Sequence, residues 1–379
     1  MANDITSQKK YFRCSSCLNM STRHRIEFNE KGQCNACIWS EEKSSSVDWN
    51  SRINELEKLL DLHRSNDGSF DCLVPCSGGK DGSYVAYKLK HDYGMNPLCL
   101  TLSVPLPDPL GDKNLQNFID SGYDHIKVSP NPEIMRALNK IGFVKQGRPT
   151  FGWLTCLQTS IPRVAVNFNL PLIFYGEDGE VEYGGSTETK NQMYYTSEYA
   201  RRVYLEGSYN DIESVKLDFP NDSFTWWTFP TDEELSKVHP KSIHWSYFEN
   251  WDPYHHYLVA KEKCGLLERE TASNATYNNF SQTDSIFYEL HTYLMFLKFG
   301  FGRCTQDIGV DIRRGAMSRD QGVALVKLYD HLFPEKHLSA FLNYYEMTEV
   351  EFMNVIDFHA NKDLLHKVDG RWIPKFFVK

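Results

Sequence analysis

Between Phe70 and Asp178, short apolar runs alternate with amphipathic stretches, and this limits the possible folds more tightly than any other feature. FDCLVPC, NPLCLTLSVP, HIKVS and LPLIFYGED read as strands. GSYVAYKLKHDYG, DKNLQNFIDSG, NPEIMRALNKIGF and GWLTCLQTSIPRVAVNFN, interleaved with them, carry helical spacing. Strands that are apolar on both faces and separated by helices cannot form hairpins. They build a parallel sheet covered on both sides, an α/β core.

What flanks the core is different in kind. Cys14-x2-Cys17 is followed by Cys34-x2-Cys37, the spacing of a closed four-thiolate zinc site. Some forty residues hold too little apolar surface to fold alone, so a structural metal accounts for this segment. EEKSSSVDWN reads as a linker, with Ser or Asp capping a helix through SRINELEKLLDLHR. After Glu180 the periodicity weakens, and residues 186–260 are rich in Tyr, Trp, Asn, Asp and His. They read as an irregular insertion with some helices, whose aromatics suit stacking on a sugar and packing a core equally well. The remainder, including DSIFYELHTYLMFLKFG and SRDQGVALVKLYDHLF, reads as mostly helical.

The divisions expected are 1–45 (zinc ribbon), 46–69 (linker helix), 70–185 (α/β core), 186–283 (insertion, a possible substrate region) and 284–379 (helical region).

Composition narrows the function. Fifty acidic against forty-one basic residues give a net charge of −9, which disfavours a nucleic-acid partner. Mean hydropathy is −0.50 and no apolar run approaches a membrane span. The start, MANDITSQKKYFRC, lacks the apolar core of a signal peptide, so a cytoplasmic protein is expected.

Three segments carry candidate chemistry. PCSGGKDGS (75–83) joins the first strand to its helix, and its backbone N–H groups and the helix N-terminus suit an anion. It is neither GxxxxGK[ST] nor GxGxxG. YGEDGEVEYGG (175–185) lies at the end of the fourth strand, where open α/β sheets bind ligands, and offers Gly176, Glu177 and Glu182. KFGFGRCTQDIGVDIRRGAMSR places Lys298, Arg303 and Arg313 among glycines, in keeping with phosphate recognition. His255 and His256 read as packing residues among aromatics, and Cys156 as a buried core thiol.

The loop resembles the SGGxDS signature of the PP-loop ATP pyrophosphatases through Ser77, Gly78, Gly79, Lys80 and Asp81, with Gly82 inserted before Ser83. The resemblance implies ATP held by these residues and Gly176, with magnesium on Asp81 and Glu177. The order of segments as a whole resembles the N-acetyl sugar amidotransferases of bacterial surface-polysaccharide (O-antigen, lipopolysaccharide) biosynthesis. The carriers are the cysteine ribbon, PCSGGKDGS, YGEDGEVEYGG, HTYLMFLKFGFGRCTQDIGVDIRRG and the MSRDQGVALV helix start.

That resemblance implies an ATP-dependent, AMP-forming ligase acting on a nucleotide sugar. The acetamido oxygen is adenylated and then replaced by ammonia. Asp81, Lys80, Lys298 and Arg303 are the expected catalytic residues, and Glu182, Tyr183 and Arg313 would face the substrate. It further implies a glutaminase subunit and a cyclase-like subunit as the source of ammonia. Residue 2 is Ala, not the nucleophilic Cys of an N-terminal glutaminase. Two other readings stand beside this one: a PP-loop tRNA thiolase, and a zinc-ribbon adaptor that binds nucleotide without turnover.

Overall fold

The computed structural model describes residues 11–376; Met1, Ala2 and the rest of the polar start lie outside them. Its centre is a six-stranded sheet. The four strands read from the sequence are β1 (Cys72–Pro75), β2 (Pro97–Leu102), β3 (His125–Val128) and β4 (Leu172–Tyr175). They lie in the order β3-β2-β1-β4, every pairing parallel. Helices α3 (Lys80–Tyr87), α4 (Pro109–Asp120), α5 (Pro132–Ile141) and α6 (Phe151–Asn167) connect them.

Alternation along the strands supplies both faces of the core. Val74 and Phe174 are buried on one side with Tyr84 and Leu89, and Leu73 and Ile173 on the other with Leu138, Phe151 and Val164. Each such side chain contributes about 1.5–3 kcal/mol by leaving water. Because β1, β2 and β3 run outward in one direction and β4 lies on the other side of β1, the strand order reverses between β1 and β4. The crevice at their carboxyl ends is therefore where an open α/β sheet offers a binding site.

The aromatic insertion is less irregular than its sequence suggests. It contributes β5 (Tyr194–Tyr195) and β6 (Lys241–His244), the latter parallel to β4 and the former antiparallel at the edge. β6 is only four residues long and begins with Lys and Ser, so no apolar run announces it.

The stretch read as a linker is also shorter. Residues 41–45 belong to α1 (Asn35–Ser45), and Asp48 caps α2 (Trp49–His63) by accepting from the Ser51 N–H at 3.0 Å. Trp39 and Lys43 are buried, which keeps this polar segment helical.

Beyond α7 (Gly179–Tyr183) and α8 (Pro253–Cys264), the C-terminal region is helical: α9 (Phe287–Phe299), α10 (Arg303–Arg313), α11 (Arg319–Tyr329), α12 (Leu338–Tyr345) and α13 (Glu349–His359). Phe287, Leu290, Phe341 and Phe352 form its core. It ends in a hairpin absent from the sequence reading, β7 (Leu365–Val368) with β8 (Arg371–Pro374). Among the described residues, no helix is long and apolar enough to cross a membrane.

Candidate functional site

The glycine-rich turn sits at the strand-order reversal. Gly78 has φ +78°, and a Cβ there would lie 2.5 Å from the Leu115 backbone nitrogen, so the turn can press against α4 only without a side chain. α3 begins directly at Lys80, so Gly82 is its third residue, and the helix continues into a π-helical turn from Lys88 to Asp92. Gly82 lines the cavity, while Ser83 is fully buried behind it with its hydroxyl 3.7 Å from Sγ of Cys76, which lines the cavity. Ser83, expected beside ATP, is therefore not among the residues lining this cavity. A Cβ on Gly176 would lie 2.6 Å from Asp81 Cβ, so the ends of β4 and α3 can approach only because this residue is glycine.

These segments enclose a cavity of about 400 Å³ lined by Ser77, Gly79, Lys80, Asp81, Gly82, Gly176 and Glu177, with Asp284, Tyr288 and Arg303 from the C-terminal side. That volume lies within the range for small-molecule sites. Asp81 is heavily bonded. Its Oδ1 accepts from His256 Nδ1 at 2.8 Å and from Trp251 Nε1 at 3.0 Å, and Oδ2 is paired with Lys80. Burial alone would raise its pKa, but the Lys80 charge and the His256 bond hold it well below the carboxylate range. Glu177 behaves oppositely: burial, and then the Asp81 charge, push it up to about 7. Arg303 donates Nε to Asp307 at 2.7 Å and Nη2 to the Tyr183 hydroxyl at 3.0 Å.

A second cavity of about 170 Å³ shares Lys80, Phe280, Ser281 and Arg303 with the first. Tyr183, Trp251, Tyr254, Asn278 and Arg314 extend it, a mix of aromatic faces, amide and guanidinium.

His256 was legible only as a packing residue. It is one, stacked on Tyr84 with ring centroids 3.8 Å apart, but it also holds Asp81. Asp284 had no sequence signal beyond its place ahead of α9; burial raises its pKa.

Three expected residues lie elsewhere. Lys298 lines a different cavity and donates to the Gln146 carbonyl at 3.1 Å. α9 ends at Gly300, whose φ of +76° turns the chain before Arg303 starts α10, so the two cations part. Glu182 is buried in an ion pair with Lys43 at 2.8 Å, and Trp39 Nε1 also donates to it. Arg313 donates to the Glu182 carbonyl at 2.7 Å and lines neither of the two cavities. Both serve the contact between the cysteine ribbon and α7.

The four cysteines converge. Cys14, Cys17, Cys34 and Cys37 are buried with their sulfurs within 4.8 Å of one another. Close pairs are Cys14 with Cys37 at 3.7 Å and Cys17 with Cys34 at 3.4 Å. Tetrahedral bonds of about 2.3 Å call for sulfurs roughly 3.8 Å apart, so this donor set fits a closed, structural metal site.

Residues 274–376 match the family model of the LPS biosynthesis protein WbpG-like, C-terminal domain. The C-terminal region is WbpG-like. This likeness supports a role in polysaccharide biosynthesis. No curated protein matches the chain significantly. Among solved structures, the U34-tRNA thiolase NcsA from Methanococcus maripaludis with its [4Fe-4S] cluster is 14% identical, with 80% of this chain and 86% of that one covered at a TM-score of 0.30.

Proposed function

We propose that the chain is an ATP-dependent, AMP-forming amidotransferase that converts the acetamido group of a nucleotide-activated sugar into an acetamidino group for surface-polysaccharide biosynthesis. The observation that carries this reading is the pair of adjoining cavities bridged by Lys80 and Arg303. One has the glycine loop and two half-buried carboxyl groups, which suit an ATP site. The other has the aromatic and amide lining that suits a sugar.

An amide oxygen is a poor leaving group. Attack of that oxygen on the α-phosphorus of ATP forms a C–O–P linkage and releases pyrophosphate. Ammonia then adds to the carbon, AMP departs, and a proton is lost to give the amidine. The loop N–H groups and Lys80 would hold the departing pyrophosphate, and Arg303 would face the charge that develops between the cavities. Asp81 and Glu177 line the same cavity, and burial, then the Asp81 charge, push Glu177 up to about 7; the two carboxyl groups would offer oxygen donors to a divalent cation. Magnesium bound there would neutralise the pyrophosphate leaving group. The cysteine cluster would hold zinc.

Against the thiolase reading stands the lack of an activated thiol. Among the described residues, Cys76 is the cysteine lining the ATP cavity, and burial pushes it up to about 12.

The test is mass spectrometry of UDP- and CMP-linked N-acetyl sugars incubated with protein, ATP, magnesium and ammonium. A product lighter by the exchange of O for NH, formed with AMP and absent with Asp81→Asn, is expected. Sulfur transfer to tRNA without any amidino sugar would overturn the proposal. Glutamine alone should not replace ammonium until a glutaminase and its cyclase-like companion are added. Efficient glutamine use by the single chain would remove those partners from the proposal.

A further inference from the structure

A third cavity, of about 150 Å³, shares no lining residue with the other two. Arg23 and Arg25 reach it from the ribbon, Arg148 from the turn before α6, and Lys298 from α9, against the carboxylates Glu180 and Glu206. Four cations face two anions, leaving two positive charges in excess.

The carboxylates are already engaged. Arg25 grips Glu180 through Nε and Nη2 at 2.9 and 3.0 Å, and Glu206 lies 3.2 Å from His24 Nδ1. Arg148 spends its donors on the Tyr204 and Leu205 carbonyls and the Ser208 hydroxyl, none of which is charged. Lys298 uses one N–H on the Gln146 carbonyl. Arg23 Nε and Nδ1 of His291, which also lines the cavity, are buried without a hydrogen-bond partner.

Arg23, Arg148 and Lys298 are half-buried with no ion pair among the described residues, and partly desolvated cations without a close partner are costly. Burial, and then the charges of Lys298 and Arg148, push His291 down to about 4. A folded chain keeps such a cluster where an anion will fill it. The volume is below that of a nucleotide site but suits one tetrahedral oxyanion, and guanidinium forks match its oxygens.

We propose that this cavity binds a single phosphate-class anion, separately from the ATP loop. The phosphoryl group is either free in solution or carried by the acceptor substrate; the same oxygens meet the same donors.

The experiment is titration of the full, zinc-loaded protein with inorganic phosphate, followed by calorimetry, for the wild type, Arg23→Gln, Lys298→Gln and Lys80→Gln. With the ATP loop filled by a non-hydrolysable ATP analogue, saturable one-to-one binding is expected, weakened about tenfold by Arg23→Gln or Lys298→Gln and not by Lys80→Gln. Should one of the cavity variants fail to fold, the other decides. Binding that is lost in Lys80→Gln but indifferent to the two cavity changes would place phosphate at the ATP loop and overturn the proposal, as would no saturable binding. Competition by a nucleotide sugar would identify a substrate-borne phosphoryl group, and lack of competition a free anion; both uphold the site. This inference does not depend on the amidotransfer reaction, because its readout is binding.

Discussion

His256 donates Nδ1–H to Asp81 Oδ1 at 2.8 Å across 175 positions of sequence, tying α8 to the first turn of α3. The bond fixes the carboxylate's orientation in the cavity, and the stacked Tyr84 ring fixes the imidazole. His256→Ala is expected to lower ATP-dependent pyrophosphate release by about ten- to a hundredfold, the usual effect of removing a partner that orients a ligating group. His256→Asn, which can still donate, should recover part of the loss. Equal turnover by both variants and the wild type would reduce the contact to packing.

Gly176→Ala should disturb the same carboxylate from the other side. The added methyl would lie 2.6 Å from Asp81 Cβ, with the Asp81 Cα behind it at 3.5 Å and no flexible tip to yield. We expect a loss of about 1–3 kcal/mol in chemical denaturation, typical of overpacking. The drop in ATP turnover should exceed what the unfolded fraction explains. Wild-type stability and rate would show that β4 and α3 can part freely.

How much of this was legible follows from which residues signal locally. The four central strands are apolar runs and announce themselves, and the glycine turn is defined by its own residues. β6 is four residues with a polar start, and its place in the sheet comes from pairing with β4. The same limit governs the site. Asp81 opens the helix after β1 and Glu177 follows the end of β4, where fold logic finds them, whereas His256 and Asp284 reach the cavity through long-range packing. Lys298, Glu182 and Arg313 were drawn to the site by nearby glycines and arginines. Helix direction decides otherwise, through the turn at Gly300 and the buried pair of Glu182 with Lys43.

One zinc per chain is expected by metal analysis, lost in a Cys14→Ser/Cys34→Ser variant. Chelation should lower the thermal midpoint, because metal binding here contributes folding free energy. A metal-free preparation with an unchanged midpoint would count against the assignment.

Lys298 predicts a pH dependence. Burial, with Arg148 adding to it against the opposing charge of Glu206, lowers its pKa from 10.5 to about 8. Between those values the unfolded chain binds a proton that the folded chain has released, so stability should rise with pH across this window. The contribution has an upper value of about 3 kcal/mol. Lys298→Met should flatten the rise relative to wild type in denaturation series from neutral pH to about pH 10. Parallel curves would show that Lys298 is protonated equally in both states.

The side chain of Asn19 touches two systems at once, donating to Cys34 Sγ at 3.5 Å and to the Tyr183 carbonyl at 3.0 Å, while the Tyr183 hydroxyl receives Arg303. Only two residues, Asn19 and Tyr183, thus separate a metal ligand from the guanidinium that bridges the two principal cavities. Metal supply would then act as a throttle as well as a scaffold. A chain whose four-cysteine site is empty would lose this support for Arg303 while the central sheet still stood. Activity titrated against zinc stoichiometry should therefore rise in proportion, and a chain that works fully when stripped would show the linkage to be slack.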